Sequence, residues 1–466
     1  MKRALMYLVI LAVASFMVLP FAQLSSAAAT VTVRHTIIAT TGDAAPAGGN
    51  YLQFSFANVR LNARHEVAFD AVVGPPFVPA VFVSDGKTTS TLALGFNPDP
   101  AAPSFTSVSN PFITPYGDVV FDANDVDTFR SDGKTIVPVV RDGDPAPGGG
   151  TLTPAGGLRA TNDHGVIAYG AFVAGSTATQ GIFRSDGTQT VAIARNDMGA
   201  PTGGSFTLLG NPVMNDRGQV AFFSVMTGGP GDFGIFRGEG GALTPVFIAN
   251  QIAPGGATFV DFGEPVINKN GQVAVSALLT NSASQLGLFV GDGTNAVAIA
   301  LQRQAAPKGG NYTGQFFAPT RLNDSGEVAF DAGLTGGTSS SGIFRGNGDH
   351  TTTVALSGTN AAGTTGTFAS FRDMQLLNDG RIAFIATLTL GVGGVNTSNN
   401  MGIWIGTSDE DLQLVVRTGD VLGGKVLTRL PQFGQGSQFD MNENSVLWVG
   451  NFGTAKAIVY SRLLDE

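Results

Sequence analysis

MNDRGQVAFFS, residues 214–224, and LNDSGEVAFDA, residues 322–332, are two copies of one phrase, Asn-x-x-Gly-x-Val-Ala-Phe. Six more copies surround them: LNARHEVAFDA from Leu61, ITPYGDVVFDA from Ile113, TNDHGVIAYGA from Thr161, INKNGQVAVSA from Ile267, LNDGRIAFIA from Leu377 and MNENSVLWVG from Met441. The Asn-equivalent positions 62, 114, 162, 215, 268, 323, 378 and 442 lie 48 to 64 residues apart. A period near fifty in β-forming residues marks a propeller or another β array.

Reading outward from the phrase, each unit holds four β-type runs in fixed order. In the fourth unit they are TLLGNPVM from Thr207, QVAFFSV from Gln219, FGIFRG from Phe233 and TPVFIAN from Thr244. The second run alternates large and small residues, the period-two pattern of a strand. The Asn-x-x-Gly element joins the first run to the second: Asn bonds its own following backbone and Gly supplies a positive φ. A second Gly-rich turn, at Arg130–Gly133 and Arg184–Gly187, joins the third run to the fourth. Thr114 replaces one Asn, and His65 stands where Gly belongs.

Counting runs separates a closed ring from an open stack. The third run occurs eight times, ending with AIVYS from Ala457, and no fourth run follows it. The matching strand stands at the other end of the chain, in HTIIAT (His35–Thr40). An N-terminal strand that completes the C-terminal sheet hides the edges of a propeller. The expected fold is therefore all-β: an eight-bladed propeller of four-stranded blades, with 35–40 pairing to the last blade. A parallel β-helix or open solenoid is the alternative, and it leaves that strand unexplained. Residues 30–466 would form one such domain.

Met1-Lys2-Arg3, an apolar stretch and SSAAAT together read as a secretory signal peptide over 1–29, with an uncleaved anchor as the alternative. The chain has no cysteine, so no disulfide framework supports it outside the cell. A secreted or periplasmic protein is expected, with no membrane span once the signal is cleaved. The 26 Lys and Arg against 35 Asp and Glu give a net charge of −9, and loss of Lys2 and Arg3 takes it to −11. Such a surface repels phosphate backbones, which argues against nucleic acid as a partner.

The phrases NDRGQVAF, NKNGQVAV and NDSGEVAF, with the linking segments GDPAPGGGTL and RTGDVLGG, resemble the secreted bacterial family named for tandem NxxGxxAF repeats. The resemblance spans essentially the whole chain after the signal. It implies export and a repeated β fold, and it brings no established activity with it. Many relatives carry a C-terminal anchor; the closing residues YSRLLDE lead to the expectation that this chain has none.

If the first run lines the axis, residues two and four before each Asn face the central channel. This selects Asn58, Arg60, Asn110, Asn211, Glu264, Arg321, Gln438 and Asp440 as candidate ligand-binding groups. A water-filled polar channel is the plain reading of them. Asp122, Asn124, Asp125 and Asp127, packed into FDANDVDTF, offer oxygen ligands for calcium, although the spacing lacks the Gly and distal Glu of an EF-hand loop. No other cofactor is expected. The linker aspartates Asp43, Asp144 and Asp420 read as turn-capping residues, and Trp404 and Trp448 as core.

No HExxH, no Gly-x-Ser-x-Gly and no His or Cys cluster is present. Two distant acids such as Glu264 and Asp440 meeting across the ring are the one route to a polysaccharide hydrolase or lyase. The loops joining the second and third runs differ in every unit, from ANDVD at Ala123 to TLTLGVGGVNTSNN at Thr387. Variable loops on a repeated scaffold are where recognition resides. The primary expectation is a non-catalytic module binding a protein or carbohydrate through that face. An axial hydrolase or lyase and a structural extracellular component are the alternatives.

Overall fold

Each copy of the phrase folds as a β-hairpin, and each unit adds two more antiparallel strands to it. The computed structural model describes residues 32–54, 59–96, 104–316, 321–430 and 439–464. Blade 4 shows the plan. Its sheet runs from the innermost strand, Ser205–Leu209 continued by Val213–Met214, through Val220–Thr227 and Phe233–Gly238 to Thr244–Ile248. Eight such sheets follow one another in a ring, and the described residues contain no helix. The eighth sheet comprises Phe439–Asn442, Ser445–Phe452, Ala455–Leu464 and, from the other end of the chain, Thr32–Thr40. Thr32–Thr40 pairs antiparallel with Ala455–Leu464, from Thr32 opposite Leu464 to Thr40 opposite Ala457, so the pairing is longer than 35–40. The signal segment 1–29 lies outside the described residues.

The core lies between blades. Eight apolar clusters each draw from two consecutive sheets. Between blades 3 and 4, Ala168, Ile182 and Ile193 meet Phe206, Phe222 and Phe236. Between blades 8 and 1, Leu447 and Ile458 meet Tyr51 and Phe69 in the same manner. The period-two pattern explains the fit: Val220 and Phe222 face one neighbour while the small Ala221 faces the other. Each fully buried Phe contributes roughly 1.5–3 kcal/mol relative to exposure. Trp404 and Trp448 are fully buried, with indole N–H groups donating to the Ala362 carbonyl (2.9 Å) and Ser461 Oγ (2.8 Å).

The repeated Asn does more than close its own turn. Asn268 Oδ1 accepts from the N–H groups of Asn270 and Gln272, while its Nδ2 donates to Gln272 Oε1 and to the Asn323 carbonyl of the next blade at 2.9 Å. All four sites of the amide are thereby used. The same bridge to the next blade is made by Asn62, Asn162, Asn215 and Asn323, and by Asn442 of blade 8 to the Asn62 carbonyl of blade 1. In blade 7 the turn position is taken by Leu377, whose N–H bonds the Arg381 carbonyl; Asn378 sits one place further on. Arginines ending the third strand press on the same turns. Arg184 donates to the Gly218 carbonyl at 2.6 Å, and a Cβ on Gly218 (φ 78°) would lie 2.6 Å from that guanidinium. Glycine is required there on both counts.

Candidate functional site: the axial channel and the variable-loop end

At the Asn-x-x-Gly end, the short inner segments Val213–Met214, Val266–Ile267 and Arg321–Leu322 touch one another side by side around the axis. Before that end the inner strand is interrupted, at 210–212 in blade 4 and 263–265 in blade 5. The earlier halves, such as Thr258–Phe262, pack instead against the third strand of the preceding blade. The axial wall is thus tight at the turn end and splays toward the variable loops.

Two adjoining cavities of about 510 and 400 Å³ occupy the axis, and Arg60, Phe112 and Arg321 line both. The residues two places before each turn position divide into two arcs. Blades 6, 7, 8 and 1 present Arg321, Gln375, Asp440 and Arg60, whereas blades 2 to 5 present Phe112, Ala160, Val213 and Val266. At these positions one arc is polar and the other apolar, while Asn110, Asp122 and Arg159 of blades 2 and 3 also line the larger cavity.

In the charged arc, Arg321 Nε donates to Gln375 Oε1 at 2.5 Å, and Gln375 Nε2 reaches the Phe439 carbonyl at 3.3 Å. Asp440 accepts from the Leu61 N–H at 2.9 Å and from the Met441 N–H at 3.0 Å. Burial raises the Asp440 carboxyl above its ordinary value; Arg60, those two N–H groups and Arg321 act against the shift. Burial likewise lowers Arg60 and Arg321, and Asp440 opposes it in both. Beside the apolar arc, Arg159 of blade 3 reaches across the seam. Its Nε meets Asp122 Oδ1 at 2.5 Å and its Nη2 meets the Asn110 carbonyl at 2.6 Å, with both charged side chains nearly fully buried. Thr114, with no amide, stands at this seam, and Arg159 supplies a bridge in its place.

Of the residues expected on the axis, Arg60, Asn110, Arg321 and Asp440 line these cavities. Asn211 and Glu264 are exposed, lie in the breaks of their inner strands and are not among the lining residues; partial burial still raises the Glu264 carboxyl. Asn58 and Gln438 lie outside the described residues. Arg159, Gln375 and the apolar arc were not anticipated. Gln375 is found by counting two back from Leu377, the true turn position, rather than from Asn378.

The four residues considered for calcium do not share one centre. Asp122 turns inward to Arg159, Asn110 Nδ2 (2.9 Å) and Thr128 Oγ1 (3.2 Å). Asn124 and Asp125 adopt positive φ in the turn, where Asn124 donates to Asp127 at 3.0 Å and Ser107 Oγ donates to Asp125 at 3.0 Å. Asp127 also accepts the Asp142 N–H at 2.9 Å. Among the described residues no group of three or more His, Cys, Asp or Glu is disposed to hold a metal ion. The linker residues Asp144 and Asp420 each accept the N–H three residues back, at 2.8 Å.

The other candidate surface is the variable-loop end. Among the described residues, every exposed large hydrophobic except Tyr116, Val137 and Val297 lies in that half of the ring, with Phe77 at 76%, Ile252 at 71% and Leu390 at 54% exposure. No helix of the described residues is long and apolar enough to cross a membrane.

Known structures resemble this chain in fold. The β-propeller domain of the Trilobed protease from Pyrococcus furiosus aligns at 12% identity and a TM-score of 0.38, over 79% of this chain and 100% of that one. A puromycin-hydrolyzing peptidase of Mycobacterium tuberculosis aligns at 12% identity and 0.42, over 86% of this chain but 60% of its own length. The Dos1 propeller aligns at 10% identity and 0.40, covering 91% and 95%. No curated protein sequence matches. The NxxGxxAF resemblance holds at the level of repeated propeller architecture. The sequence profile that matches, over residues 122–447 and thus most of the chain, is one without an assigned function: the chain belongs to the Family of unknown function (DUF7453).

Proposed function

We propose that this protein is a secreted or periplasmic, non-catalytic binding module that recognises a partner protein through its variable-loop end. The observation that carries this reading is the distribution of exposed apolar side chains. Phe77, Ile252, Leu390 and Val421 stand on loops or linkers of one end, while the opposite end consists of near-uniform turns. Exposed apolar side chains gathered at one end favour a protein partner over a glycan, since interface cores are enriched in aromatic and large aliphatic side chains. Export rests on the N-terminal sequence pattern alone.

The test is a binding screen of the immobilised protein against secreted and envelope proteins, with envelope polysaccharides in parallel. Loops 228–232 and 389–400 are then exchanged for the short 175–179 loop, and the Asp85–Thr88 turn is altered as a control. Loss of binding on loop exchange, with retention in the turn variant, supports the reading. Binding that survives both loop exchanges places recognition elsewhere.

A further inference from the structure

We propose that the seam closing the ring, between blades 8 and 1, is an acid-sensitive latch governed by His65. At the seams after blades 3 and 4 an arginine ending the third strand lies against the turn glycine of the next blade. Arg184 donates to the Gly218 carbonyl and Arg237 to the Gly271 carbonyl. At the closing seam both places change. Tyr460 stands in the arginine's register, opposite Leu447 as Arg184 stands opposite Ala168. His65 takes the glycine position, at φ 65°, whereas the equivalent residue is glycine in blades 2 to 7. A permanently charged contact is thereby exchanged for one that titrates.

His65 Nδ1 lies 2.8 Å from the Tyr460 hydroxyl and 3.4 Å from Asn442 Nδ2. Asn442 donates to the Asn62 carbonyl at 2.9 Å and accepts the Asn444 N–H at 3.1 Å, which fixes the end of its amide that faces His65. That end is a donor, so Nδ1 keeps its lone pair and the neutral ring carries its proton on Nε2. The Tyr460 hydroxyl also lies 2.6 Å from Ser445 Oγ, which is fully buried. Ser445 then donates to Tyr460, and Tyr460 to His65. Protonation sets an N–H at Nδ1 against the Asn442 donor, reverses that run and deprives Ser445 of its Tyr460 acceptor. The amide pushed aside is the one that bridges blade 8 to blade 1.

The surrounding charges act in the same sense. Burial first, and then the Arg462 charge, hold the imidazole below its ordinary 6.5. Arg462 itself stands opposite Arg34 in the terminal pairing. The acids of the adjoining elements are engaged: Glu66 with Arg64 at 2.7 Å and with Asn62, Asp440 with the Leu61 and Met441 N–H groups. Glu443, in the facing turn, is exposed. Above 6.5 neither the closed nor the opened seam holds the proton, and closure is at full strength. As pH falls below 6.5 the opened form takes the proton first, so closure weakens until the folded value is passed.

Hydrogen exchange of the full chain at pH 7.5 and pH 5.0, corrected for the intrinsic pH dependence of amide exchange, tests this. At pH 7.5 the turns 62–66 and 442–445 are expected to be as protected as the turns 215–219 and 268–272. At pH 5.0 their protection relative to those turns should fall about threefold or more, a tenfold change attending each pH unit between the ordinary and the folded value. His35, on the terminal strand, is the other histidine of this blade, with Nδ1 2.8 Å from Ser461 Oγ and Asp420 opposing the effect of its burial. Variants separate the two. His65→Gly restores the residue of the other turns and His65→Asn tolerates the same φ; each should hold the ratio constant between the two pH values. His35→Gln should leave the fall in place. A constant ratio in the unaltered protein overturns the proposal without needing any variant, as does a His65 ring that titrates at or above 6.5 by NMR. So does a fall that survives in the His65 variants, or one that His35→Gln abolishes.

Discussion

The two ends of the ring use the same backbone differently. At the Asn-x-x-Gly end the repeated polar side chains are committed: Asn215 spends its amide on its own turn and on the Asn268 carbonyl of the next blade, and Arg184 lies against Gly218. At the variable-loop end the linkers are regular, with Ala146, Ala200 and Ala306 each bonding a glycine carbonyl four residues on. The loops between second and third strands share a closing bond in blades 3 to 6, where the N–H groups of Val173, Met226, Leu279 and Leu334 each reach the carbonyl six residues on. They differ in sequence, however, and those of blades 1 and 7 leave Phe77 and Leu390 in solvent. One end therefore locks blade to blade, and the other is released from that duty. Function drawn from sequence variation has room only at the second.

Breaking the locked end should cost most. Asn268→Ala removes the acceptor of two turn N–H groups and the bridge to Asn323, with an expected loss of about 2–3 kcal/mol in chemical denaturation. Asn378→Ala should cost under about 1 kcal/mol, because Asn378 is exposed and bonds only Asp324 at the surface. Equal losses would show that the bridge carries no stability.

Glycines sharpen the contrast next. Gly218 and Gly391 both hold positive φ, 78° and 81°, but only Gly218 has a guanidinium against it. Gly391→Ala should cost about 1 kcal/mol for the backbone alone, and Gly218→Ala about 2 or more. Denaturation midpoints of the two variants decide it.

Acid titration probes the zone between the ends. Burial pushes the Asp331 carboxyl up to about 6 from its ordinary 3.8. Below about pH 4 both folded and unfolded states hold the proton and the group costs nothing. As pH rises from 4 to 6 the unfolded chain ionises first, so stability falls, and above 6 the whole penalty stands. Allowing for its partial exposure, that penalty is about 1–2 kcal/mol. Asp331→Asn should flatten the stability difference between pH 4.5 and pH 7; an unchanged difference contradicts the assignment. The smallest effect belongs to the released end. Phe77→Ser and Leu390→Ser should each alter stability by less than about 0.5 kcal/mol while weakening partner binding.

Much of this was legible in the residues themselves. The eightfold phrase, the four runs per unit and the unmatched His35–Thr40 strand together specify the ring, because a period of two and a period near fifty leave few other solutions. The axis was legible only in part. Counting back from Asn found Arg60, Arg321 and Asp440, but the one-residue slip that puts Leu377 in the turn hid Gln375. Arg159 lies three places before its Asn rather than two, and a register shift between Pro154 and Arg159 turns it toward blade 2. A side chain that spans a seam has no signature along its own strand. For the same reason Asp122 reads as a metal ligand in FDANDVD until its partner, 37 residues away, is in view.

Native-state hydrogen exchange, followed peptide by peptide, tests the division between the ends most directly. The account predicts that the Asn-x-x-Gly turns, the Asn442–Asn62 junction included, exchange only with global unfolding, while 228–232 and 389–400 exchange through local opening. Turn amides that exchange as fast as those loops, or a junction between blades 8 and 1 that opens ahead of the others, would contradict it.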